Sequence, residues 1–167
     1  PRIYRQLIEY AEKNPKALST VGASLKRLSA TLPSKLPQLA ARYAEIEGDN
    51  QFARGSTHAA LASYTRALDT QHASPVIEYK LGQANAVLRK LAASQVHFDR
   101  WVEAAPEVSR PERRLQIAQF LESRFLLEAA LRWYKRALVG VEKPLDVQMS
   151  YATALAKYKD FSGAEKV

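Results

Sequence analysis

The chain has 167 residues, of which 47% are hydrophobic and 25% charged; it contains no cysteine and carries a formal net charge of +8. This length can bury a core, the missing cysteine excludes disulfides and thiolate metal sites, and no stretch approaches the roughly 18 uninterrupted apolar residues of a membrane span. The charge is uneven: residues 1–40 hold Arg2, Arg5, Lys13, Lys16, Lys26, Arg27 and Lys35 against Glu9 and Glu12 alone, which attracts anionic partners without choosing among nucleic acid, anionic lipid or polymer and acidic protein.

Ile3, Leu7, Tyr10 and Ala11 share one helical face that Asn14-Pro15 ends. A second helix is expected over residues 16–32, with Leu18, Val21, Leu25 and Leu28 inward and Pro33 as its stop. This pair, residues 1–40, reads as an N-terminal cap or a degenerate repeat. Beyond it the pattern changes to paired helices. The first pair runs from Arg42 to Ala53, turns at Gly55-Ser56, and continues from Thr57 to Asp69. Ala60, Leu61, Tyr64, Ala67 and Leu68 recur there at three- and four-residue steps, as on one face of an amphipathic helix. Gly55 suits a positive-φ position after a helix, and Ser56 or Thr57 a cap. The second pair is expected over Val76 to Leu91 and Ala93 to Ala104, and the third over Pro111 to Ser123 and Leu126 to Val139. Pro75, Pro106 and Pro144 close units because proline cannot continue a helix interior.

These pairs repeat. A shift of 34 residues carries Gly48 to Gly82, Ala60 to Ser94, Tyr64 to Phe98 and Leu68 to Val102. A shift of 36 then carries Gly82 to Ala118, Ser94 to Ala130 and Phe98 to Tyr134, the two extra residues falling in the linker of residues 106–111. A last shift of 34 carries Ala118 to Ala152, Leu121 to Leu155 and Ala130 to Ala164. Small residues fall on small ones and aromatics on aromatics, as helices that cross closely require.

With Leu81-Gly82 in a first helix, Ser94, Phe98 and Trp101 in a second and Pro106 at the close, the pattern resembles the tetratricopeptide repeat family over residues 41–167. Trp101 departs from it, standing where a small residue is usual, and is expected to lodge against Leu115 or Phe120; Gln51 stands where an aromatic is usual. The resemblance implies an all-α fold, a right-handed superhelix of antiparallel helix pairs. About 3.5 repeats are expected, over residues 41–74, 75–110, 111–144 and 145–167, the last truncated within its second helix and continued in a longer parent chain.

No catalytic, metal or cofactor constellation is read. His58, His72 and His97 lack ligand spacing, and the six glycines never cluster into a phosphate loop. Glu45 and Asp49, four apart, read as a solvated helix face. The segment is expected to be a non-enzymatic protein-interaction scaffold. The family's first helices line a concave groove, which would show Arg42, Glu45, Ile46, Asp49 and Phe52, then Tyr79, Lys80, Gln83 and Val87. Leu115, Gln116, Gln119 and Glu122 would follow, and then Met149, Thr153 and Lys157. Phe52, Tyr79 and Met149 are expected to be exposed there as recognition residues. Glu45 and Asp49 stand where family members that clamp the carboxylate of heat-shock chaperones present Lys and Asn, so a carboxylate ligand is disfavoured. Arg110, Arg113 and Arg114 sit at a helix start, against the macrodipole, and read as a basic patch for an acidic surface. The expected partner is a protein or a neighbouring domain, with homo-oligomers compatible. The alternative is an accessory module of a larger bacterial enzyme, such as a glycosyltransferase or polysaccharide-export protein, meeting anionic polymer or membrane. Nucleic acid is disfavoured because no aromatic residues interleave with the basic ones. The corresponding expectation is a cytoplasmic location, with membrane association compatible.

Overall fold

A computed structural model of the chain describes residues 37–70, 73–139 and 145–164, with isolated helical positions at Gln6, Glu9, Tyr10 and Lys13. The expected N-terminal helix pair, His72, Gly140 and Pro144 lie outside the described residues. Everything described is helix or turn, without a strand. The helices are α1 (Pro37–Ala53), α2 (Thr57–Asp69), α3 (Ile77–Val87), α4 (Leu91–Glu103), α5 (Arg110–Ser123), α6 (Leu127–Ala137) and α7 (Leu145–Ala164). The chain divides into two compact units, Pro1–Arg89 and Lys90–Val167, a boundary that falls inside the second expected repeat. In the first unit α1 packs along α2, and α2 against α3; in the second, α4 packs on α5, α5 along α6 and α6 on α7.

From Ala60 to Tyr134 the recurring small and aromatic positions are among the most deeply buried of the described residues. Ala60, Ser94 and Ala130 are at most 2% exposed, as are Tyr64, Phe98 and Tyr134. Each such ring contributes about 1.5–3 kcal/mol on leaving water. In the first unit the core gathers Ala44, Ala60, Tyr64, Ala67, Ile77, Leu81 and Ala84, with Phe52, Leu61 and Leu68 packed on its edge. The Tyr64 ring lies so close to Gly48 that a Cβ there would stand 2.5 Å from Cδ1. Glycine is therefore what lets helix backbone and ring meet. Ala118, at the matching place in the second unit, is fully buried.

The turns repeat as well. Gly55, Arg89 and Phe125 adopt φ of +78°, +60° and +56°, spaced 34 and 36 residues apart like the buried positions. Gly55 N–H donates to the Phe52 carbonyl (3.0 Å) and Ser56 N–H to Gln51 (2.8 Å); Phe125 N–H donates to Glu122 (2.9 Å) and Leu126 N–H to Leu121 (3.0 Å). This pair of bonds satisfies the last carbonyls of a helix and needs a left-handed residue between them. Arg89 N–H makes the corresponding bond to Ala86 (2.9 Å). The second turn therefore comes at residues 88–90, earlier than the expected helix end at Leu91, and no glycine marks it because its left-handed residue is an arginine.

The last unit departs from expectation. By register its turn belongs near Tyr158-Lys159-Asp160, yet α7 runs unbroken to Ala164. None of those three residues resists helix, and extending a formed helix adds one hydrogen bond per residue fixed. Ala152 is consequently exposed, unlike its counterparts Gly48, Gly82 and Ala118. The linker after Pro106 is a single 3-10 turn, Glu107–Ser109, leading into α5.

Candidate functional site

The first helices of each unit are joined by a lysine. In the first unit Lys80 Nζ on α3 reaches Glu45 Oε1 and Asp49 Oδ2 of α1, each at 2.7 Å. Ser74 Oγ also donates to Glu45 Oε1 (3.0 Å), and Arg42 pairs with Glu45 Oε2 (3.1 Å). The Tyr64 hydroxyl donates to Asp49 Oδ1 (2.9 Å). In the second unit Lys157 on α7 pairs with Glu122 Oε1 of α5 (2.5 Å), while the Tyr134 hydroxyl donates to Glu122 Oε2 (2.6 Å). One carboxylate on a first helix thus holds a buried tyrosine of the second helix and a lysine of the next hairpin, in both units. The second instance sits one helical turn further along its first helix, at Glu122 rather than at Gln119.

The electrostatics follow from that arrangement. Burial alone would raise the Glu45 carboxyl, but hydrogen bonds from Lys80 and Ser74 and the charges of Lys80 and Arg42 outweigh it and hold the pKa below the ordinary glutamate value. Glu122 is lowered in the same way, Lys157 and Tyr134 overcoming its desolvation. Tyr64 and Tyr134 are pushed far up, first by burial and then by the carboxylates that accept their protons.

Several expected groove residues are placed differently. Glu45 is 3% exposed and Tyr79 8%, and Ile46 is buried too; Phe52 is half-buried against the core. The solvated reading of Glu45 and the exposed reading of Tyr79 and Phe52 are corrected by that burial. Lys80 and Asp49 are engaged with each other, Lys80 with its side chain 18% exposed and Asp49 with 45% still open to solvent. Arg42, Gln116, Gln119, Met149, Thr153 and Lys157 are exposed, and Gln83 is half-buried. Met149, at 66% exposure, lies four and eight residues before Thr153 and Lys157, so the three form one stripe on α7. The Glu122–Lys157 pair sets that stripe beside the α5 residues Gln119 and Glu122.

The three arginines are also placed differently from the free patch expected. Arg110 Nε donates to the Ala105 carbonyl (3.2 Å) and its Nη2 to Glu103 (3.4 Å). Arg113 donates to the Trp101 carbonyl and lies over the Trp101 ring at 4.7 Å. Arg114 Nη1 donates to the Arg136 carbonyl (3.1 Å). They cap the carbonyl ends of α4 and α6, where a helix is negative, and this removes the conflict with the start of α5. Trp101 is thereby covered by Arg113, while Phe120 meets Phe98 edge-on at 6.5 Å.

Among the described residues no group of three or more His, Asp or Glu gathers as metal ligands, and no helix is long and apolar enough to cross a membrane. Compared with protein-family models, curated proteins and solved structures, the chain matches none.

Proposed function

We propose that this chain is a tetratricopeptide-type array, a right-handed superhelix of helical hairpins, that binds a segment of a partner protein or neighbouring domain along the face formed by its first helices. The observation that carries the reading is the lysine bridge. Lys80 spans 31 residues back to Asp49 and Lys157 spans 35 back to Glu122, about one repeat each, so in each unit successive first helices stand side by side. The recurrence of the left-handed turn and of the buried small and aromatic positions supports the same reading. Side chains on the first helices suited to such contacts are Arg42 and Gln83 in the first unit, and Gln116, Gln119, Met149, Thr153 and Lys157 in the second. They offer amide hydrogen bonding, two cations and one adaptable thioether, a mixture suited to gripping polypeptide.

The test is selection of peptide ligands against the whole chain, followed by affinity measurement on Met149→Glu and on Gln116→Ala combined with Gln119→Ala. The reading expects at least tenfold weaker binding with unchanged helicity. Affinity untouched by both variants would move the site off this face.

A further inference from the structure

We infer that a hollow bounded by α4, α5 and α6 seats one large apolar side chain of a partner peptide in which the next residue is acidic. It lies apart from the first-helix face and does not depend on that reading. Its volume is about 150 Å³. Leu91 and Ala92 of α4, Leu121 of α5, and Ala129 and Trp133 of α6 form the apolar wall. Two alanines leave space that larger residues would fill. A cavity of roughly this size holds a benzene ring, whereas drug-sized ligands occupy about 300 Å³ or more. The hollow thus matches a single Phe- or Leu-sized anchor and not a whole free ligand.

The polar part of the lining selects the neighbour. Arg132, Gln95 and Ser94 border the hollow, and among the described residues no carboxylate lines it. Arg132 is paired with Glu128 one turn back (2.6 Å), with both side chains exposed, at 56% and 73%. Such a pair on a helix surface is weak, and a carboxylate delivered beside the hollow can replace it with a two-pronged contact to the guanidinium. Leu91 at the rim and Val96, one turn beyond Ala92, are exposed hydrophobic residues, at 37% and 49%, so apolar surface continues outside the hollow along α4.

The experiment titrates the whole chain with two acetylated, amidated dipeptides, Phe-Glu and Phe-Gln, and follows backbone and indole N–H resonances. Binding in the millimolar range is expected, with saturating shifts at Ala92, Gln95, Ala129 and Trp133 and about threefold tighter binding of Phe-Glu. Arg132→Gln is expected to erase that preference, and Ala129→Leu, which fills the hollow, to abolish both titrations. If Ala129→Leu does not fold, Ala92→Leu on the exposed start of α4 carries the same test. Met149→Glu is expected to leave the shifts unchanged, which separates this site from the first-helix face. Shifts that do not saturate, shifts centred elsewhere, equal binding of the two peptides, or a preference that survives Arg132→Gln would each overturn the inference.

Discussion

The ring of Tyr64 occupies the space into which a side chain at Gly48 would project, its Cζ 3.1 Å from the place of that Cβ. The hydroxyl of the same ring is held by Asp49, so the ring cannot slide away without losing a hydrogen bond. Gly48→Ala is therefore expected to destabilise the chain by about 1–2 kcal/mol, overpacking outweighing the gain in helix propensity. Tyr64→Leu in the same chain should make the alanine nearly neutral. Urea unfolding of the two single variants and the double variant checks this.

The left-handed turns predict a change of the opposite sign. Phe125 is a bulky residue at φ +56° and 72% exposed, a conformation costing an L-residue roughly 1–2 kcal/mol. Phe125→Gly should raise stability by about 1 kcal/mol, less whatever glycine costs in the unfolded chain. Arg89→Gly should do the same, and Gly55→Ala should lower stability by a similar amount. Thermal melts are a sufficient readout.

Lys80 compensates Glu45, which is buried. Removing it as Lys80→Met leaves the carboxylate with only Arg42 and Ser74, at an expected cost of about 2–4 kcal/mol. Adding Glu45→Gln should recover much of that loss, because the uncompensated charge disappears. A double-mutant cycle measures the coupling.

Acid and alkali should each weaken the fold, for opposite reasons. The Glu45 and Glu122 pKa values are lowered in the folded chain, so their contribution is full above the ordinary value of 4.5 and is lost as pH falls through the folded values. Tyr64 and Tyr134 are raised from 10.0, so stability should hold below about pH 10 and fall as pH rises beyond it. Urea midpoints against pH should show both limbs, with Glu45→Gln and Glu122→Gln flattening the acid limb and Tyr64→Phe and Tyr134→Phe the alkaline one.

The arginines separate structural from displaceable charge. Arg113 both stacks on Trp101 and caps α4, so Arg113→Ala should cost about 2 kcal/mol. Arg132→Ala, which loses one exposed pair, should cost no more than about 0.5 kcal/mol. Chemical denaturation of the two variants in parallel decides the point.

How much of this was legible in the sequence varied with the range of the interaction. The hairpin register was readable because Ala60, Tyr64, Ala130 and Tyr134 obey a short-range helical period and recur. The turns at Arg89 and Phe125 were hidden because packing of the flanking helices imposes a conformation that those residue types do not advertise. Tyr79 and Glu45 were misjudged as exposed because helical spacing gives an angle around one helix, while burial is set by neighbours such as Ser74 and Lys80, 29 and 35 residues along the chain from Glu45. Arg113 read as a free cation because the carbonyl end of α4 beneath it is a tertiary feature. The unbroken course of α7 through Tyr158 shows that register alone does not make a turn.

The claim that successive first helices form one binding face is tested most directly by amide hydrogen exchange on the whole chain, free and with a selected peptide. The account predicts added protection on α5 and α7 around Gln116, Gln119, Met149 and Thr153, and its loss with Met149→Glu. Protection confined to second helices α4 and α6, with α5 and α7 unchanged, would contradict it.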